Sequence, residues 1–295
     1  MSMVRDAVIL AGGAGTRMLP ASLLTPKEAM PLVDTPIINH LIWEVAKAGV
    51  TRVHLVLSEW KKNALQGSLD GSSSFGSGVR MDLPPEALKL GVEGVEIVTH
   101  IQQYPGGVAD AISVAINEIR GPFLVLLGDM VILEDHVGPE FSGPEYASNA
   151  SLRLVEMFER TGLPSVGLCE VGREHLNKYG VVEFSGDMIS NIIEKPSSED
   201  APSNYVLSGR YLLPSNTSRI LDLYPLSEHG ELQSISLLMH LANNGGLLGV
   251  KFDGMEMYDS GDPISWLESQ IDHALRRDDV GEELAFWIRQ RMREQ

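Results

Sequence analysis

Ala7-Val8-Ile9-Leu10 runs straight into Ala11-Gly12-Gly13-Ala14-Gly15-Thr16-Arg17. The first four residues are all apolar, as in a strand buried on both faces. The glycines that follow allow tight backbone turns and let N–H groups approach a ligand closely. An ordinary strand-to-helix connection has the same outline. Two cations alter that reading: Arg17 closes the loop, and Lys27 follows Thr25-Pro26. Cations just beyond an N–H-rich loop suit a polyphosphate. The loop is not a dinucleotide fingerprint, because Met18 stands three positions after Gly15. It is not a Walker A loop either, because no Lys-Ser/Thr follows a spaced glycine. A nicotinamide-dependent dehydrogenase is disfavoured on the same ground.

Beyond this loop, strand-like and helix-like patterns alternate. Residues 37–47 have helical spacing, and Gly49 follows as a C-terminal cap. Residues 53–57 and 95–101 read as strands, 109–120 as a helix and 123–127 as a fully apolar strand. This order predicts an α/β fold with a mostly parallel sheet. The second half is more mixed: 152–159, 167–171 and 180–184 suggest strands or helix–strand units, some antiparallel. Residues 232–243, 264–277 and 282–293 read as helices. The Gly/Ser-rich residues 67–78 read as a mobile loop.

Composition excludes several classes. The chain has 295 residues, 43% hydrophobic, with 23 basic and 40 acidic side chains, a net charge of −17. That balance argues against nucleic acid as a partner, since phosphate-backbone affinity comes from Lys and Arg. No run approaches the roughly 18 apolar residues of a membrane span, and the apolar start has no signal-peptide cleavage pattern. The single cysteine, Cys169, cannot form an internal disulfide and reads as a core residue. The expected setting is cytoplasmic. Eight histidines are scattered without metal-ligand spacing and read as structural or surface groups.

Three further places suit phosphate chemistry. Asp129, in Leu127-Gly128-Asp129, lies just past an apolar strand, where α/β sheets bind ligands. It suits Mg²⁺, which takes one or two carboxylates plus substrate phosphates. Asp259, in Tyr258-Asp259-Ser260-Gly261, would complete a two-carboxylate metal site if the fold joins them. Lys195, in Glu194-Lys195-Pro196, precedes a proline and is expected in extended backbone, from which it can reach a phosphate. Taken singly, each of these is also an ordinary turn or surface residue.

Together the motifs resemble those of the sugar-1-phosphate nucleotidylyltransferases. The likeness rests on the opening Leu-Ala-Gly-Gly-Ala-Gly-Thr-Arg-Met and on Thr25-Pro26-Lys27-Glu28. It extends through 102–111, Gly128-Asp129, 179–182, Glu194-Lys195-Pro196, 208–211, 230–233 and 259–261. Within that superfamily the chain looks most similar to the bacterial UTP–glucose-1-phosphate uridylyltransferases. Residues 107–111 and 127–129 look at least as much like the glucose-1-phosphate thymidylyltransferases.

The resemblance implies a Rossmann-like three-layer α/β/α nucleotidyltransferase fold with a mixed, mostly parallel sheet. It implies a catalytic domain over 1–262 and a helical segment, 263–295, packed on it or at an oligomer interface. The substrates would be UTP or dTTP and a sugar 1-phosphate, with Mg²⁺ as cofactor, in a homodimer or homotetramer. The backbone of Ala11, Gly12 and Gly13 would hold the nucleotide, with Gln102 and Gly107 at the pyrimidine edge. Arg17 would bind the β/γ phosphates and Lys27 the α-phosphate. Asp129 and Asp259 would hold the metal. Gly180, Glu194 and Gly209 would hold the sugar, and Lys195 its phosphate. Ser236 stands where the family usually has an aspartate. The rival from another class is a sugar-nucleotide-binding regulator without catalysis, which predicts loss of the carboxylates or loop cations. They are all present.

Overall fold

A computed structural model describes residues 3–70, 83–224 and 233–294. Strand β1 (Asp6–Leu10) lies inside a nine-stranded sheet. A small hairpin, β2 (Pro31–Leu32) and β3 (Thr35–Pro36), leads into helix α1 (Ile37–Lys47). Then come β4 (Arg52–Leu57), α2 (Glu59–Leu69), β5 (Glu96–Ile101), α3 (Gly107–Ala115), β6 (Phe123–Leu127) and β7 (Met130–Leu133). The second half contains α4 (Ala150–Thr161), β8 (Ser165–Glu170), β9 (Gly180–Ser185), β10 (Met188–Glu194), β11 (Tyr205–Leu213) and α5 (Thr217–Leu221). It ends with α6 (Gln233–Asn243), β12 (Leu248–Lys251), β13 (Glu256–Asp259), α7 (Pro263–Arg276) and α8 (Gly281–Arg293).

The sheet order is β5-β4-β1-β6-β11-β8-β12-β10-β9. From β5 to β6 every pairing is parallel, the geometry that strand–helix–strand crossovers impose. Beyond β6 the sheet is mixed: β11 runs antiparallel to β6 and β8, whereas β8 and β12 are parallel. Alternation along β1 divides the core. Ala7 and Ile9 face a cluster with Leu41 and Val45 of α1 and Leu154 of α4. Val8 faces the other cluster, with Ile112 of α3 and Leu237 of α6. The result is a sheet with helices on both faces.

Several sequence expectations shift. Residues 152–159 lie in a helix, α4, whose apolar side chains Leu154, Val155 and Phe158 all face the core. Of the expected loop 67–78, residues 67–69 end α2, and 71–78 lie outside the described residues, as do 230–232. Lys195 is not extended: its φ is +46°, in the left-handed region. Such backbone costs a non-glycine residue of order 1–3 kcal/mol and tends to mark functional sites. Cys169 is 4% exposed in the core, and burial pushes its thiol up to about 12, which removes it as a nucleophile.

The closing helices are tied to the body and also exposed. Gln270 of α7 donates to Pro31 O at 2.8 Å and accepts from Val33 N at 2.6 Å, and Arg277 pairs with Asp34 at 2.8 Å. Yet Ile264, Leu267 and Ile271 of α7 and Phe286 and Trp287 of α8 stay largely exposed. Among the described residues, no helix is long and apolar enough to cross a membrane.

Candidate active site

Two cavities adjoin at the C-terminal ends of β1 and β6, and Asp129 and Gly107 line both. The first is walled by Gly12, Gly13, Gly15, Lys27 and Gln102. The second is walled by Arg17, Gly180, Glu194, Lys195 and Asp259. Residues spread from 12 to 259 thus meet in one double cleft, at the sheet edge where α/β folds bind ligands.

The fold makes this junction in two ways. Gly128 N–H donates to Leu10 O at 2.9 Å, so β6 ends beside the glycine loop. The arm β7–β13 pairs Met130 with Asp259 in antiparallel register. Ser260 then closes it, its N–H and hydroxyl each donating to Asp129 O at 2.9 Å. Asp129 and Asp259 are therefore neighbours. A Cβ built on Gly261 would stand 2.9 Å from Arg17 Nη2, 2.9 Å from Asp259 Oδ1 and 3.5 Å from Asp129 Oδ2, so all three side chains converge there.

Charge is distributed unevenly over this cluster. Lys27 Nζ donates directly to Asp129 Oδ2. Burial alone would lower the Lys27 ammonium, but Asp129 and Glu28 outweigh it and hold it above its ordinary value. Burial would likewise raise Asp129, and Lys27 more than offsets that, so its carboxyl lies below the usual range. Asp259 goes the other way: burial and the adjacent Asp129 push it above the usual carboxylate range, against the Gly261 N–H bond of 2.7 Å and Arg17. Two half-buried carboxylates side by side, one of them made costlier to ionise by the other, are a hard-oxygen donor pair. A divalent cation of the Mg²⁺ kind fits such a pair.

Not every expected residue faces the clefts. Ala11 lines neither cavity: it is fully buried, its N–H donates to Val56 O at 2.9 Å, and its carbonyl accepts from Lys61 Nζ at 2.8 Å. The expectation that its backbone holds the nucleotide gives way to a buttress. Lys61 also bonds both Glu28 oxygens, at 2.9 and 2.8 Å, so one side chain of α2 fastens the glycine loop to the Lys27 segment. Gly209 lines neither cavity as well. With φ +71° and a Cβ that would strike Leu127 Cγ at 2.9 Å, it is a spacer against β6 where β11 shifts register on β8, and it does not face the cavity expected to take the sugar.

Gln102 is 7% exposed and lies over Gly12, where a Cβ would stand 2.4 Å from its Oε1. Its Nε2 donates to Gly107 O at 3.3 Å and Asp110 Oδ2 at 2.6 Å, which locks the start of α3 against the loop. Glu194 and Lys195 stand side by side at the rim, 3.4 Å apart. Lys178 and Ser234 line the second cavity without having been singled out in the sequence, as does Tyr211, which the sequence offered only as the end of the 208–211 motif. Lys178 directly precedes the Tyr179-Gly180 motif, which was its only signal; Lys61, in Trp60-Lys61-Lys62, had none. Ser234 and Ile235, not Ser236, bring α6 to the cavity.

Comparison with known proteins identifies the family and the fold. The nucleotidyl transferase family matches residues 6–276. A UTP–glucose-1-phosphate uridylyltransferase of Streptococcus pyogenes is 30% identical over 98% of this chain and 94% of its own. A crystal structure of a UDP-glucose pyrophosphorylase complexed with UDP-glucose superposes with TM-score 0.76 at 26% identity, over 92% of this chain and 98% of that one. A UDP-glucose pyrophosphorylase from Acinetobacter baumannii shares the fold, with TM-score 0.81 and 24% identity over 98% and 99% of the two chains. Because the family spans residues 6–276 and a 30% identical relative aligns over nearly the whole of both chains, the chain belongs to the nucleotidyl transferase family.

Proposed function

We propose that this nucleotidyltransferase joins UTP and glucose 1-phosphate into UDP-glucose, releasing pyrophosphate. One observation carries the reading: two cavities, one lined by the glycine loop and one by Glu194 and Lys195, share Asp129 at their junction. A reaction between two phosphorylated substrates needs that layout. The substrates named for the Streptococcus relative and for the complex with UDP-glucose support the choice of base and sugar.

A phosphate oxygen of the sugar phosphate attacks the α-phosphorus, and the bond to the β-phosphate oxygen breaks. The attacking group is already an anion, so no general base is required. Catalysis rests on positioning and charge stabilisation. Gly12 and Gly13 bind the nucleotide, and Gln102 and Gly107 face its base. Lys27 stabilises the α-phosphate and Arg17 the departing pyrophosphate. Gly180 and Glu194 hold the sugar, and Lys195 its phosphate. Asp129 and Asp259 would hold Mg²⁺, which when bound supplies Lewis-acid polarisation of phosphoryl oxygens.

Residues 1–262 form the catalytic body in this reading, and 263–295 both pack on it and offer the exposed Ile264, Leu267 and Ile271 face to another copy as a homodimer or homotetramer. The setting proposed is the cytoplasm, in keeping with a lone buried cysteine. The test is pyrophosphate release from each of UTP, dTTP, ATP, CTP and GTP, crossed with several sugar 1-phosphates in Mg²⁺. UTP with glucose 1-phosphate should be fastest. Preference for dTTP would make the enzyme a thymidylyltransferase, and no release from any pair would leave a binding protein.

A further inference from the structure

A second polar cluster sits at the far end of α3 from the clefts. Parallel register pairs Val8 with His54 and Val56 with His100. Alternate residues on a strand share a face, so Asp6, His54 and His100 all point to the side covered by α3. His54 is fully buried and His100 nearly so. His54 Nδ1 lies 2.9 Å from His100 Nε2, and His54 Nε2 lies 3.1 Å from Asp6 Oδ1. The 3₁₀ turn after α3, Ile116–Glu118, delivers Glu118 from the surface. One ligand atom from each of His54, His100 and Glu118 lies within 4.8 Å of the other two.

We propose that His54, His100 and Glu118 bind one transition-metal ion of the Zn²⁺, Co²⁺ or Ni²⁺ class, with Asp6 orienting His54. Two imidazoles and one carboxylate are the donor set these ions prefer and Mg²⁺ does not. Asp6 accepts the Nε2–H of His54, which leaves the Nδ1 lone pair aimed at the cluster. A carboxylate behind a ligating histidine is the usual orienting partner at metal sites. The spacing fits as well. Bonds of about 2.0–2.1 Å separate two ligand nitrogens by roughly 2.9 Å at a right angle and roughly 3.4 Å at the tetrahedral angle. The observed 2.9 Å falls at the right-angle end of that range, so binding needs the two rings to turn toward a common point and the exposed Glu118 side chain, with an oxygen within 4.8 Å of a ligand nitrogen of each, to swing in. In the metal-free form one proton lies between the two nitrogens. Coordination moves it to Nδ1 of His100, and both rings stay neutral. Glu118 is exposed, which gives the ion a path from solvent and room for a water ligand. Bound there, the ion ties β4 and β5 to the end of α3, the helix whose first residue, Gly107, lines both cavities.

The test is a Co²⁺ titration of the full chain in excess Mg²⁺, read by visible d–d absorption and repeated on Asp259→Asn. The expected result is one equivalent bound in both proteins. His100→Gln should abolish the spectrum, and Glu118→Gln and Asp6→Asn should weaken binding about 10–100-fold. Zn²⁺ should raise Tm in the wild type and much less in Glu118→Gln, whose exposed position leaves folding intact. No Co²⁺ spectrum in the folded wild type overturns the proposal. So does a spectrum unchanged by both Glu118→Gln and His100→Gln, or one abolished by Asp259→Asn.

Discussion

Lys27 and Asp129 hold each other charged in the cleft, so removing either deprives the other of its nearest partner. Preorganised charge of this kind is worth roughly 3–4 kcal/mol in the transition state. We expect Lys27→Ala and Asp129→Ala each to lower kcat about 100-fold or more with the circular dichroism spectrum intact; near-normal turnover in either would remove these residues from the reaction. Gly12→Ala should act differently. Its methyl group would displace Gln102 and weaken nucleotide binding, so KM for the NTP should rise more than kcat falls, in steady-state kinetics with the sugar phosphate saturating. At this scale the sequence carried the chemical types well. Arg17, Asp129 and Asp259 were legible as candidates because each sits in a glycine-containing motif at or just past a strand end, and Lys27 because it follows Thr25-Pro26. What it could not carry was which backbone groups are already occupied. Ala11 looks like its glycine neighbours in a motif, but Lys61, fifty positions on, takes its carbonyl. The His54–His100 contact spans 46 positions and is likewise a property of register alone.

At the scale of elements, four segments meet on one buried ion pair beneath the clefts. Glu44 of α1 and Arg210 of β11 form a two-pronged bridge at 2.8 and 2.9 Å. Arg210 also donates to Met130 O at 2.9 Å, the residue after Asp129. Ser151 of α4 donates to Glu44 at 2.5 Å. Arg210 is fully buried and Glu44 almost so. Breaking a buried pair from one side strands a charge and costs about 3–5 kcal/mol, whereas replacing both partners by apolar groups is often neutral. Arg210→Met should therefore lower the urea midpoint sharply, and Glu44→Leu with Arg210→Met should recover most of it. If the double variant is no better than the single one, packing and not charge holds these elements. Element positions were readable wherever hydrophobic period was strong. The expected helix 37–47 is α1 to the residue, and the strand 123–127 is β6. Residues 152–159 were ambiguous because a short segment with alternating polar and apolar residues satisfies either period, and only the packing of α4 on β8 and β11 selects the helix.

For the whole molecule, net charge and buried histidines make opposite claims about acid. The chain carries −17, so protonating carboxylates relieves self-repulsion, and charge alone predicts greater stability as pH falls toward neutrality of the fold. The histidines between α1, the segment after β7 and α7 predict the reverse. Burial lowers His40 to about 4, with Asp34 opposing and Arg277 assisting. Burial lowers His273 to about 3, with His40, His136 and Arg277 assisting and Asp272 opposing. His136 Nδ1 lies 3.0 Å from His273 Nδ1, so two charged rings would repel there. Unfolded histidines titrate near 6.5. The unfolded chain thus takes up these protons first, and stability that is complete above about pH 6.5 drains away as pH falls through the range down to about 3. Each depressed pKa unit is worth about 1.4 kcal/mol, so this term reaches a few kcal/mol, more than screened surface repulsion returns at moderate salt. We expect the urea midpoint to drop steadily from pH 7 to pH 4.5. In His273→Gln the slope of that drop, not only its starting point, should shrink. A midpoint that rises over this range would mean surface charge governs acid stability, and a His273→Gln slope as steep as the wild type would clear the histidines of the effect.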